Sequence, residues 1–131
     1  KRLPTEEEWE KSCRGIDGKK WPWGNILEVS NANIRDLKLK HSISVGSFPS
    51  DVSPYGIYDM AGNVREWTSS WYQRYPGSTL ERDLFGKQYK VTKGGSWLHP
   101  SLPESRCANR GFVMPDANHR SIGFRCVKDA E

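Results

Sequence analysis

The 131 residues carry a formal net charge of +4, and twelve glycines and eight prolines break up a chain that is only 35% hydrophobic. That length bounds the chain to one domain with a modest core, and the turn-rich composition excludes a helical bundle or a doubly wound sheet. Charges of both signs are interspersed, residues 38–41 are too short a basic run for a nucleic-acid surface, and no stretch approaches a membrane span.

The first element is a helix. In LPTEEEWEKSCRG, Thr5 is placed to cap and Glu8 to close a capping box, while Glu6, Glu7 and Glu8 oppose the helix dipole. The helix is predicted to reach about Arg14 and stop at Gly15, with Trp9 and Cys13 on one core-facing stripe. Because this helix signal starts at once and Lys1 is not Met, a fragment or processed chain is expected.

WPWGN at residues 21–25 reads as a turn whose tryptophans cover a core edge. Residues 30–40 are polar and irregular, and ISVGSF at 43–48 alternates well enough for a short strand. After a loop comes YGIYDMAGNVREW at 55–67. Gly62-Asn63 is a turn signal there, because both residues tolerate positive φ. Such a turn lets Asp59 and Glu66 converge with the intervening carbonyls, an oxygen cage suited to calcium. An Asx-type turn followed by an edge strand explains the same residues, and the spacing is not that of an EF-hand loop.

EWTSSW at 66–71 reads as a strand. Residues 72–87 form a polar excursion, and YKVTKGGSW at 89–97 reads as strand, glycine kink, strand. Residues 99–104 are predicted as an open loop, followed by short strands at 106–111 and 122–127 around a polar loop at 115–121. The fold class is α+β, loop-rich, with an N-terminal helix and short strands. Six tryptophans and five tyrosines imply a core of large aromatics with hydrogen-bonded polar tips.

Ser96 follows the Gly-Gly kink and His99 lies three residues on, yet no strand-to-helix nucleophile elbow surrounds them. His41, His99 and His119 lack a shared spacing for a metal site, and no phosphate-cradling motif occurs. Arg106, Arg110, Arg120 and Arg125 cluster late, either to bond carbonyls or to form a polar pocket for an anion or peptide. Cys13, Cys107 and Cys126 have no zinc spacing, and their odd number allows at most one internal bridge. Three buried thiols in a reduced compartment are equally compatible with composition.

Taken in order, KRLPTEEEWEKSCRG, WPWGN, YGIYDMAGNVREWTSSW, KVTKGGSW, RCANR and IGFRC resemble the formylglycine-generating enzymes, the sulfatase-modifying factors. The resemblance spans nearly the whole chain and implies a variant of the C-type-lectin fold, of which residues 1–131 form the C-terminal part of a single domain. The part that precedes KRLPTE in the family is expected to lie upstream. The enzymes of the family oxidise a cysteine of a sulfatase peptide to formylglycine with oxygen and copper held by two cysteines. Those positions fall at His99 and near Leu102, so a soft Cu(I) site is not expected and no residue here is assigned a catalytic role.

The same resemblance implies a Cys13–Cys107 disulfide, a partner for Cys126 upstream of Lys1, and a secreted, periplasmic or secretory-lumen location. It implies calcium held by the Asp59 and Glu66 side chains and the Gly62 and Val64 carbonyls. A weaker second calcium site begins at Asn33 and Ile34, where the acidic loop of the enzymes is replaced by residues 37–41. Ser96, His99 and Arg110 are expected along a polar ligand groove. The expected function is a calcium-braced, non-catalytic module binding a peptide, protein or small molecule on loops 99–105 and 113–121. The alternative is an oxidoreductase related to sulfoxide synthases that uses upstream or partner residues, and a third reading is a scaffold for a neighbouring domain.

Overall fold

The computed structural model describes residues 1–99 and 102–130; Pro100, Ser101, Glu131 and the Leu102 side chain lie outside the described residues. Among the described residues the single α-helix, α1, spans Glu6–Arg14. Thr5 Oγ1 accepts from the Glu8 amide at 3.2 Å and the Glu8 carboxylate accepts from the Thr5 amide at 2.7 Å, closing the capping box. Gly15, at φ +69°, ends the helix by returning its N–H to the Lys11 carbonyl. Trp9 and Cys13 are buried on one face, as their spacing requires.

Four short strands follow: β1 Arg65–Trp71, β2 Lys90–Lys93, β3 Gly111–Val113 and β4 Ile122–Gly123. They form one sheet in the order β3-β2-β1-β4. β1 pairs antiparallel with β2 and β2 with β3, while β1 and β4 run parallel. The chain before α1 lies on β1, where the Ser69 amide donates to the Pro4 carbonyl at 2.8 Å.

Two small apolar clusters replace one large core. Trp9, Cys13, Met60 and Cys107 form one, and Trp21, Ala32, Ile34 and Ala61 the other. Trp21 and Trp23 stack with ring centroids 6.1 Å apart, covering the second cluster as the WPWGN turn suggested. Cys13 and Cys107, 94 residues apart in sequence, are disulfide-bonded with Cα atoms 5.6 Å apart, and Cys126 is an exposed free thiol.

The turn at Gly62-Asn63 joins the two halves. Gly62 and Asn63 have φ +72° and +56°, in the left-handed region the sequence implied. The Asn63 amide donates to the Asn33 carbonyl, the Gly62 amide to the Gly94 carbonyl, and the Trp97 amide to the Asn63 carbonyl. A Cβ at Gly62 would collide with the Asn33 carbonyl oxygen, so glycine is required by both conformation and space.

Four strand expectations change. Residues 43–48 form a turn rather than a strand, because Gly46 at φ +75° reverses the chain and Ser47 Oγ donates to the Ser44 carbonyl at 2.6 Å. The second half of 89–97 is not a strand, since Gly94 and Gly95 at φ +90° and +69° turn the chain out of the sheet. Residues 106–110 are turns, held by the Asn109 amide on the Arg106 carbonyl, so β3 starts only at Gly111. Residues 122–127 contribute just Ile122–Gly123 to the sheet, after which Val127 bridges to Arg2. Within the expected open loop 99–104, Leu102–Ser105 is a 3-10 turn. Residues 30–40 include most of one 3-10 turn, Val29–Asn31, and all of another, Arg35–Leu37. Among the described residues, no helix is long and apolar enough to cross a membrane.

Candidate functional site

The left-handed residues Asp59, Gly62 and Asn63 wind the loop before β1. Asp59, Asn63, Val64 and Glu66 thereby come to line one cavity with Tyr58 and Arg125. Glu66 is almost fully buried and its carboxylate is well supplied with donors. Arg125 Nε donates to Oε2 at 2.6 Å and Nη2 to Oε1 at 2.7 Å, while Trp9 Nε1 donates to Oε2 at 2.6 Å. Burial is the largest single influence and opposes the Arg125 charge, but the hydrogen bond to Glu66 and the charges of Glu66, Asp51 and Asp59 together outweigh it and raise the guanidinium pKa. Arg125 Nη2 also reaches the Tyr58 and Asp59 carbonyls, both at 3.1 Å, and Asp59 Oδ2 accepts from the Gly46 amide at 2.6 Å.

These oxygens have the hard chemistry calcium requires, and they share a cavity. In this arrangement, however, a guanidinium satisfies Glu66, so a cation entering there would have to share that carboxylate with Arg125. The second cluster offers a clearer opening. Asn33 is buried, and its Nδ2 donates to the His41 carbonyl at 2.9 Å and to Asn63 Oδ1 at 3.2 Å. Its Oδ1 has no hydrogen-bond partner, and an orphaned buried acceptor suits a donor or a cation. The neighbouring Ile34 carbonyl accepts the Leu37 amide at 3.1 Å.

Ser96 and His99 are brought together by the turn after the glycine kink. The His99 amide donates to the Ser96 carbonyl at 3.0 Å, and Ser96 Oγ lies 2.8 Å from His99 Nδ1. His99 Nε2 meets Arg65 Nη2. Burial and the Arg65 charge hold the His99 pKa down to about 4, so the ring is neutral at pH 7. A neutral imidazole has one lone pair. Arg65, a donor only, takes it at Nε2, which places the proton on Nδ1 and makes His99 the donor to Ser96. This ring cannot serve as the base that activates Ser96.

Gly95 makes room for the facing segment: a Cβ there would lie 2.5 Å from Ser105 Oγ. Glu104 Oε2 is 3.9 Å from His99 Nε2, too far for a hydrogen bond to a neutral ring. Arg110 is engaged elsewhere. Its Nε lies 2.6 Å from Glu6 Oε1, its Nη1 donates to the Gln73 carbonyl, and its guanidinium covers Tyr72 and Tyr75. None of these contacts joins it to Ser96 or His99.

Arg65 and Asp51 were not singled out by the sequence, and Arg125 was noted only as one of the late arginines, without its Glu66 partner, because these contacts join residues far apart along the chain. Asp51 is buried, accepts the Ala61 amide at 3.1 Å, and is pushed by burial up to about 8. Among the described residues, no three His, Cys, Asp or Glu side chains cluster as a metal centre. That count does not include carbonyl or amide oxygens.

Comparison with known proteins matches residues 1–130 to the Sulfatase-modifying factor enzyme 1-like domain. The chain is 39% identical over 152 residues to the formylglycine-generating enzyme of Mus musculus, covering 98% of this chain and 39% of the relative. It is 38% identical to the inactive C-alpha-formylglycine-generating enzyme 2 of Mus musculus, covering 99% of this chain and 44% of the relative. The solved structure of Treponema denticola variable protein 1 superimposes with a TM-score of 0.77 at 30% identity, over 94% of this chain and 45% of that one. The chain thus spans less than half the length of each.

Proposed function

Because the chain belongs to the sulfatase-modifying factor family, we propose that it is a formylglycine-generating-enzyme-like domain that binds a ligand rather than oxidising a cysteine. Its fold is the family's variant of the C-type-lectin fold. The observation that carries the reading is the state of the His99 ring, at the position where the family resemblance implies a copper cysteine in the enzymes. Its single lone pair is engaged by Arg65 and its N–H by Ser96, leaving no free donor for a soft metal. The ligand groove runs past Ser96, His99 and Arg65.

Calcium braces the loops in this reading. Asp59 and Glu66, with the Gly62 and Val64 carbonyls, would hold one ion, and Asn33 Oδ1 with the Ile34 carbonyl would begin a second site. A bound calcium would supply fixed positive charge and rigidity to the turn that ties residues 33, 94 and 97 together. The Cys13–Cys107 disulfide supports an exported, oxidising location.

Cu(I) titration of the full-length protein against a bicinchoninate competitor tests the reading. A Cys126→Ser background removes the exposed thiol. The expected result is no Cu(I) held at this domain. Stoichiometric Cu(I) that is lost in a His99→Ala variant would overturn it.

A further inference from the structure

We infer that a cavity beside the His99 turn is a binding site for a small organic anion, whose apolar body rests on Trp97 and Leu98 and whose carboxylate, phosphate or sulfate meets a ring of four cations. The inference deepens the binding-module reading and rests on it, by naming the class of ligand.

The cavity encloses about 620 Å³ and is lined by Arg35, Asp36, Lys38, Lys40, Trp97, Leu98 and Arg120. Arg35, Lys38, Lys40 and Arg120 outnumber the one carboxylate, Asp36, and none of the four has an ion-pair partner among the described residues. Three of the more buried cations are paired closely: Arg110 with Glu6, Arg125 with Glu66 and Lys93 with Glu10. Clustered, uncompensated cations around one concavity raise the local potential for an anion.

The floor is apolar. Trp97 is only 5% exposed, and the Arg120 guanidinium sits 5.0 Å from its ring centroid. Trp97 Nε1 is buried with no hydrogen-bond partner. An indole N–H in that state commonly marks a place where an acceptor belongs. Leu98, half-exposed, widens the apolar surface.

The backbone holds two of the cations in an unfavourable conformation. Lys38 and Lys40 have φ +58° and +64°, a region that non-glycine residues rarely adopt. Lys38 closes the 3-10 turn Arg35–Leu37 by donating its amide to the Arg35 carbonyl at 2.9 Å. Strained residues are over-represented at ligand-binding positions, and here both strained lysines line the same cavity. The Arg35 amide donates to the His99 carbonyl at 3.3 Å, so the cavity wall is continuous with the Ser96–His99 turn.

1-Naphthyl phosphate, with 1-naphthol and inorganic phosphate as its two halves, tests the site on the full-length protein. The readout is the Trp97 indole N–H resonance, assigned with a Trp97→Phe variant, while the five other indoles of residues 1–131 report fold integrity. The expected result is a saturable shift of Trp97, with affinity about tenfold or more above either half and falling as salt rises. Lys38→Gln with Lys40→Gln should weaken binding about tenfold and leave the other indoles in place. Absence of a saturable shift, equal binding of 1-naphthol, or indifference to the lysine pair would overturn the inference. Copper-dependent turnover would instead defeat the binding-module reading and leave the naphthyl phosphate result standing.

Discussion

Glu66 and Arg125 meet through two parallel hydrogen bonds, Nε to Oε2 at 2.6 Å and Nη2 to Oε1 at 2.7 Å, tying β1 to the chain just after β4. Trp9 adds a third donor from α1. One carboxylate therefore joins the helix, the sheet and the C-terminal segment.

Breaking that pair should be costly. Arg125→Ala leaves the buried Glu66 carboxylate with Trp9 alone and is expected to lower stability by about 3 kcal/mol, read by urea unfolding. Arg125→Met combined with Glu66→Gln should cost less than the two single changes added together, since no unpaired charge remains. Strict additivity would show that the two residues are not coupled.

Calcium should raise the melting temperature of the full-length protein, and chelation should reverse the effect. Once calcium exceeds its dissociation constant, each tenfold increase is expected to add about 1.4 kcal/mol. Asp59→Ala should abolish the response of the first site and Asn33→Ala that of the second. A melting temperature indifferent to calcium would remove the bracing role.

Replacing Cys13 and Cys107 by alanine opens a loop of sequence separation 94. The loss of that constraint on the unfolded chain is expected to cost about 4 kcal/mol. Loss of less than about 1 kcal/mol would mean that the packing of Trp9 and Met60 holds this cluster unaided.

Two buried groups should act oppositely on stability as pH changes. His99, held down to about 4, binds its proton more weakly folded than unfolded. Its contribution is full above about pH 6.5 and fades as pH falls towards 4. Asp51, pushed up to about 8, binds its proton more tightly when folded. Its contribution is full below about pH 4 and fades as pH rises through 8. His99→Gln should therefore flatten the acid side of the profile and Asp51→Asn the neutral to alkaline side. Unchanged profiles would contradict these assignments.

What could be read from the sequence follows the range of the interactions. The α1 capping box is local, with every partner within three residues, and the left-handed Gly62-Asn63 turn is set by the conformational freedom of its own two residues. Both stand as expected, although the bonds from that turn to Asn33, Gly94 and Trp97 carry no local signal. The strand expectations at 43–48 and in the second half of 89–97 failed where Gly46, Gly94 and Gly95 adopt positive φ, which alternation cannot reveal. The disulfide was implied by family resemblance, not by spacing. Arg65 beside His99 and Arg125 on Glu66 join residues 34 and 59 apart, with no periodic signal to announce them. The left-handed lysines at 38 and 40 sit in a stretch that reads only as polar.

The most direct test of the central claim is turnover. The full-length protein, supplied with Cu(I), oxygen and a sulfatase-derived cysteine peptide, should return the peptide unchanged in mass. Conversion of that cysteine to formylglycine, dependent on copper and on this domain, would contradict the account.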